Sequence, residues 1–91
     1  MFQGLDLRRT RFINCSLKDI DFSDAKLGHA EFTHSVLENS AFHGADLTDA
    51  DLRYASRYLI DPKYTRLKGT KVDLPEAVSI LTAIGLDIAV D

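Results

Sequence analysis

The side chains that could bind a metal ion in this sequence are three histidines and one cysteine. His29, His34 and His43 do not form an HxxxH pair, and Cys15 has no CxxC partner. Zinc needs several such ligands converging on one tetrahedron, so this spacing favours solvated surface histidines over a metal site. We therefore expect no metal ion and no cofactor.

Nucleophilic and phosphate-binding motifs are also missing from the sequence. Ser35 and Ser40 do not lie in a nucleophile elbow and have no positioned base, and "GTK" at 69–71 lacks the preceding glycines of a phosphate loop. The two serines are better placed to hydrogen bond neighbouring segments of the backbone. We therefore predict no catalytic residue and expect that the protein is not an enzyme.

A large apolar residue recurs at every fifth position from Phe2 to Leu52, and the same phase returns later in the chain. On an α-helix, a step of five residues rotates by about 140° and scatters the side chains around the cylinder. On a flat strand, an odd step sends successive side chains to opposite faces. The pattern therefore predicts a solenoid that turns a corner every five residues. Its core ladder is Phe2, Leu7, Phe12, Leu17, Phe22, Leu27, Phe32, Leu37, Phe42, Leu47, Leu52, Leu67 and Val72.

The alternation of Phe and Leu predicts the number of sides in each coil. Phe and Leu alternate with period ten, so a square coil of twenty residues stacks Phe on Phe and Leu on Leu, whereas a triangular coil of fifteen mixes them. The residue two positions before each ladder residue is mostly small and forms a second inward column, in which Leu5 and Ile20 are the largest members. Each buried Leu or Phe contributes roughly 1.5 to 3 kcal/mol, and coils about 4.8 Å apart can pair like parallel strands.

Residues 1–56 resemble the pentapeptide-repeat family. The segments "ADLTD", "ADLRY", "AKLGH" and "AEFTH" are similar to its consensus A(D/N)LXX. The resemblance implies an all-β solenoid, a right-handed quadrilateral β-helix of about three to four coils. We assign residues 1–73 to this β-helix, with an irregular loop at 57–64 that bulges outward and directs Arg57 and Pro62 away from the core.

Residues 74–91 are expected to form a capping helix followed by a tail. Pro75 suits a first helical turn and Gly85 a helix end, and the apolar residues between them form a broad stripe. The segment resembles the terminal helix and apolar tail of the quinolone-resistance members of the family, in which this region forms a twofold interface. We therefore predict a homodimer through Leu74, Val78, Ile80, Leu81, Ile84, Leu86, Ile88 and Val90.

The charges are segregated along the chain, with net values of +3 for residues 1–18, -7 for 19–51, +5 for 52–72 and -4 for 73–91. The acidic middle argues against nucleic-acid binding there and favours a basic protein partner. No segment is long and apolar enough to span a membrane, so we expect a cytoplasmic protein without a membrane partner. The expected acidic surface is Asp6, Asp21, Glu31, Asp46 and Asp51.

Two functions fit these features. The first is a non-catalytic protein-binding or scaffolding module. The alternative follows from the family resemblance, which implies a rod that mimics duplex DNA and binds DNA gyrase or topoisomerase IV. The short rod counts against the alternative, because under four coils reach only about 17 Å.

Overall fold

A computed structural model describes residues 2–87 of the chain, and its backbone pairs with itself at intervals of twenty residues. Leu7 N–H donates to the Lys26 carbonyl at 2.8 Å, and Lys26 N–H donates to the Leu5 carbonyl at 2.9 Å. Single-residue parallel bridges repeat this pairing every five residues, except between Ala41 and Asp61, so each coil has four sides and twenty residues. The bridges are Asp6 to Lys26, Arg11 to Glu31, Ser16 to Val36, Asp21 to Ala41, Lys26 to Asp46, Glu31 to Asp51, Val36 to Ser56, Asp46 to Arg66 and Asp51 to Lys71.

The corners of the coils depend on residues in the left-handed backbone conformation. These residues lie two positions after a ladder residue, as Asp24 (φ 60°) follows Phe22. Most turns are closed by their own hydrogen bond, such as the one from Ala25 N–H to the Phe22 carbonyl (3.0 Å). Asn, Asp, His and Gly occupy most corners, which agrees with their tolerance of positive φ. A tight turn therefore follows every short side and produces the five-residue repeat.

The interior contains two columns of phenylalanine rings that face each other. Phe22 stacks on Phe42 with ring centroids 5.1 Å apart, and Phe12 stacks on Phe32 at 5.0 Å. Rings of opposite columns meet edge to face, as Phe22 and Phe32 do at 6.0 Å. Ladder residues 17 to 52 are buried, whereas Phe2, Leu7, Phe12 and Leu67 are partly buried and pack against this core.

Two serines of the inward column replace the hydrogen bonds that would close the turns of the preceding coil. Ser35 Oγ donates to the Phe12 carbonyl (2.6 Å) and accepts from Cys15 N–H (3.1 Å), so the hydroxyl replaces the turn's own hydrogen bond. Ser40 makes the same pair of contacts with the Leu17 carbonyl and the Ile20 N–H. These hydroxyls satisfy buried backbone groups while keeping the coils in register.

The irregular segment at 57–64 differs from our prediction that it bulges outward. Arg57 is exposed and takes a left-handed conformation (φ 61°), which turns the next side chain, Tyr58, into the core. Tyr58 is fully buried in place of a ladder residue, and Ile60 is fully buried in the phase of the inward column, as the repeat predicts. The pairing then resumes, because Gly44 N–H donates to the Tyr64 carbonyl (2.6 Å) and Asp46 bridges Arg66.

The C-terminal helix, α1, spans Val78–Ala83 and is shorter than the stripe from Pro75 to Gly85 suggests. Residues 74–77 form turns instead of a first helical turn. The carboxylates of Asp73 and Glu76, which precede α1, cap the end of the solenoid. Tyr54 N–H donates to Asp73 and Arg57 N–H donates to Glu76, each at 3.0 Å. No helix of residues 2–87 is long and apolar enough to cross a membrane.

Two positions expected to lie in the core are exposed. Val72 is 40% exposed, in contrast to the ladder prediction, because the chain leaves the solenoid there and no coil within residues 2–87 covers its side chain. Leu5 is also exposed, since it lies in the first coil. Both residues lie at the ends of the described coils, where a repeat pattern no longer guarantees burial.

Candidate protein-binding surfaces

The outward side chains just before the ladder residues form columns of mixed charge. On one face the column alternates acidic and basic groups, and on the next face two acidic groups lie between two basic ones. The first column places opposite charges on every pair of neighbouring coils, where they attract each other, whereas in the second column the neighbouring acidic groups are each flanked by a basic group. The first column is Asp6, Lys26, Asp46 and Arg66, and the second is Arg11, Glu31, Asp51 and Lys71.

Three of the five predicted acidic surface residues form ion pairs. Asp6 binds the Arg8 guanidinium (2.6 Å), and Asp51 binds Arg53 in the same way (2.8 Å), each through both carboxylate oxygens. Hydrogen bonds from Arg8 lower the pKa of Asp6 to about 2, and those from Arg53 lower the pKa of Asp51. Glu31 pairs with Arg11 of the preceding coil at 2.9 Å.

The other two acidic residues are held by hydroxyl side chains and backbone groups. Asp46 accepts from Thr48 Oγ1 (2.5 Å) and Thr48 N–H, and Asp21 accepts from Ser23 N–H (2.8 Å). Hydrogen bonds from Thr48 and from Ser23 lower the pKa of Asp46 and Asp21, respectively. Asp21 lies on a different face from the other four. The five acidic residues therefore do not form one uncompensated strip, although the sequence places them in an acidic segment.

The three histidines are exposed and lie at separate places on the solenoid. His29 Nε2 is 3.6 Å from an Asp49 carboxylate oxygen, and His34 stacks on Tyr54 with ring centroids 5.3 Å apart. His43 stacks on Tyr64 at 4.7 Å. Within residues 2–87, no three His, Cys, Asp or Glu side chains are grouped so that they could hold a metal ion.

The C-terminal segment presents an apolar surface to solvent. Its exposed fractions are 74% for Leu74, 39% for Leu81, 44% for Ile84 and 50% for Leu86. Two other members of the predicted interface are half-buried: Val78, and Ile80, which packs against the core. Ile80 therefore serves the cap, while Ile88 and Val90 lie outside the described residues.

Tyr58 is a buried polar residue that the five-residue pattern did not reveal. Its hydroxyl has no hydrogen-bond partner within residues 2–87, and burial raises the pKa of Tyr58 to about 12. The nearby carboxylates of Asp73 and Glu76 contribute to this rise. Tyr58 therefore stays neutral at physiological pH and acts as a core residue beneath the C-terminal cap.

Comparison with known families identifies the repeat. The sequence profile of the family described as pentapeptide repeats (8 copies) matches residues 1–28 and 15–53. The chain belongs to the pentapeptide-repeat family. Pentapeptide-repeat structures are right-handed β-helix solenoids, which gives the hand of the four-sided coils described above.

Several solved pentapeptide-repeat structures are similar to this chain. A protein from the thylakoid lumen of Arabidopsis thaliana has 30% identity and a TM-score of 0.70, with 76% of this chain and 48% of that chain covered. HetL, which is involved in heterocyst differentiation regulation in the cyanobacterium Nostoc sp. strain PCC 7120, has 25% identity and a TM-score of 0.71, with coverages of 79% and 35%.

QnrB1, a plasmid-mediated fluoroquinolone resistance protein, shares the fold at 15% identity and a TM-score of 0.60, with coverages of 96% and 44%. This chain thus spans less than half the length of each of these three structures. Comparison with curated protein sequences gives no significant match.

Proposed function

We propose that the protein is a non-catalytic binding or scaffolding module that forms a homodimer through its C-terminal segment. The observation that carries this proposal is the exposed apolar surface of Leu74, Leu81, Ile84 and Leu86. Exposed apolar side chains concentrated in one short segment of a chain are typical of interfaces between proteins. The solenoid behind it supplies a rigid support with outward columns of variable residues.

A second copy of the chain is the partner that best fits this surface. The carboxylates of Asp73 and Glu76 are directed at backbone N–H groups of the solenoid, so they do not oppose a like-charged copy across a twofold axis. A standard interface buries about 600 Å² or more on each partner. That area is roughly a tenth of the 5742 Å² accessible surface of one chain.

Sedimentation velocity at micromolar concentrations tests the dimer, because one chain has a mass of 10.2 kDa. We expect twice that mass for the wild type. We expect Leu81→Asp and Ile84→Asp to weaken association at least tenfold, because each buries a charge in an apolar contact. Leu5→Asp is the matched control, since Leu5 is an exposed leucine in the first coil and should leave the dimer intact.

A monomeric wild type would contradict this proposal. So would an unchanged dimer in both C-terminal variants, provided that their far-UV circular dichroism matches that of the wild type. A dimer lost only in Leu5→Asp would move the interface to the other end of the solenoid and would also refute it.

The alternative function predicted from the sequence, a DNA-mimicking binder of gyrase or topoisomerase IV, requires a surface of uncompensated negative charge. The ion pairs of Asp6, Glu31 and Asp51 with arginines therefore favour the scaffold over the mimic. A supercoiling assay with purified gyrase separates the two functions. The scaffold proposal expects no inhibition, whereas salt-sensitive inhibition that is lost in Glu31→Gln and Asp51→Asn would support the mimic.

A cytoplasmic location is part of the same proposal. The single cysteine, Cys15, fits a reducing compartment because it has no partner for an intrachain disulfide. The similar protein from a thylakoid lumen shows that the fold also occurs elsewhere.

A further inference from the structure

A basic depression lies on one corner of the first two coils, away from the C-terminal segment. It is an open, polar cavity of about 500 Å³ lined by Asp6, Arg8, Arg9 and His29. Arg9 and His29 occupy the same corner of successive coils, and both take the left-handed backbone conformation (φ 64° and 59°). Their side chains therefore project from one edge of the solenoid, one coil apart.

One cation of this depression is fixed in place. The Arg8 guanidinium donates from Nε and one terminal nitrogen to Asp6 (2.8 and 2.6 Å), which leaves its other terminal nitrogen available. The aliphatic part of the Arg8 side chain passes beside Gly28, where the side chain of a larger residue would contact it. This arrangement holds a guanidinium next to the cavity before any ligand arrives.

The other arginine of the depression, Arg9, differs from Arg8 in its surroundings. No carboxylate among residues 2–87 lies within ion-pair distance of Arg9, whereas Arg8, Arg11 and Arg53 each have one. The His29 imidazole, one coil away from Arg9, can donate a further hydrogen bond, although Asp49 faces His29 from the next coil. The depression thus combines an unpaired guanidinium, a fixed guanidinium and an imidazole.

The chain contains an internal comparison for this site. Asp51 and Arg53 repeat the hydrogen-bonded pair of Asp6 and Arg8. The corner next to that pair carries Tyr54 in place of a second arginine, and Tyr54 stacks on His34. The second corner therefore has the same fixed pair and a histidine, but it lacks the unpaired cation.

We propose that Arg8, Arg9 and His29 bind the dianion of a phosphate monoester or of free phosphate. Guanidinium groups match the geometry of phosphate oxygens, and charge-assisted hydrogen bonds of this kind are among the stronger ones in proteins. Small anions are favoured because the site is a single corner of the solenoid that spans only two coils. This binding is independent of the C-terminal dimer.

Two-dimensional ¹H–¹⁵N NMR of the full chain tests the site with inorganic phosphate as the probe, at constant ionic strength held with chloride. We expect saturable shifts at Arg8, Arg9 and His29 and none at Arg53 and Tyr54. Shifts that grow without saturation, or that are equal at the two corners, would overturn the proposal, because they indicate general ionic screening.

Variants separate the site from general charge effects. Arg9→Asn removes the unpaired cation but keeps a residue that tolerates positive φ, and we expect phosphate to bind at least tenfold more weakly. The matched controls are Arg53→Gln and His34→Asn at the second corner, which should change the affinity less than twofold. Unchanged binding in Arg9→Asn would refute the assignment.

A second titration distinguishes the source of the phosphate group. A blocked Gly-phosphoserine-Gly tripeptide is compared with inorganic phosphate, with the unphosphorylated peptide as its control. Tighter binding of the phosphopeptide assigns the site to a phosphorylated partner, and equal binding assigns it to free phosphate. Binding of the unphosphorylated peptide with equal affinity would refute the proposal.

Discussion

The hydroxyl of Ser35 offers a sharp test of how neighbouring coils are held together. Ser35 is fully buried, and its Oγ links the Phe12 carbonyl (2.6 Å) to the Cys15 N–H (3.1 Å) in the preceding coil. Ser35→Ala removes both hydrogen bonds without changing the fold's apolar pattern. We expect this variant to be destabilised by about 1 to 3 kcal/mol, the sum of two neutral hydrogen bonds.

The magnitude follows from what the two backbone groups can do without the hydroxyl. If both stayed unpaired and buried, the cost would approach about 2 to 6 kcal/mol. The turn can instead close on itself, as it does at Ala25 N–H and the Phe22 carbonyl (3.0 Å), where the residue one coil later is Ala45. Such closure recovers part of the loss, so we expect a destabilisation of about 1 to 3 kcal/mol and not the larger range.

Urea unfolding followed by far-UV circular dichroism measures this change. Ser16→Ala is the matched control, because Ser16 faces outward and is exposed, and we expect a change within about 0.5 kcal/mol. Amide exchange at Cys15 should also become faster in Ser35→Ala. A Ser35→Ala variant as stable as the wild type, with unchanged protection at Cys15, would refute the bridging role of the hydroxyl.

Two further predictions concern the corners and the acidic residues. Gly44→Ala should be destabilised more than Gly4→Ala: both glycines have positive φ, but only at Gly44 would the added methyl group meet a carboxylate, that of Asp24. Urea unfolding should show about 1 kcal/mol for Gly4→Ala and more for Gly44→Ala, and equal losses would contradict the contact. The lowered pKa values of the four hydrogen-bonded aspartates stabilise the folded state above their unfolded pKa of about 3.9, so stability should fall as the pH drops from about 4 towards 2. A free energy of unfolding that stays constant across that pH range would contradict this prediction.

The repeat could be predicted from the sequence because the burial of each ladder residue depends on its position within one five-residue side. A ladder residue every fifth position excludes both a helix and a flat strand, and the alternation of Phe and Leu selects twenty residues per coil. The stacked pairs Phe22 with Phe42 and Phe12 with Phe32 follow directly from that alternation. The four-sided coils could therefore be predicted from the spacing alone, whereas the family was indicated by segments such as "ADLTD" and "AKLGH" that resemble its consensus.

The remaining features depend on backbone conformation and side-chain pairing that a count by five does not encode. Tyr58 enters the core because Arg57 takes a left-handed conformation, so a strict count by five misses it. The acidic residues read as a belt along the chain, yet Arg8 and Arg53 lie two residues after Asp6 and Asp51 and neutralise them. The structure is also needed to show that Arg9 has no carboxylate partner among residues 2–87.

Small-angle X-ray scattering of the wild-type protein tests the central claim most directly, because it reports both mass and shape. One described chain measures 40 × 25 × 24 Å. A homodimer joined through its C-terminal ends predicts twice the mass of one chain and a maximum dimension approaching twice its 40 Å length. A particle with the mass of one chain, or a dimer about 40 Å long and twice as wide, would contradict the account.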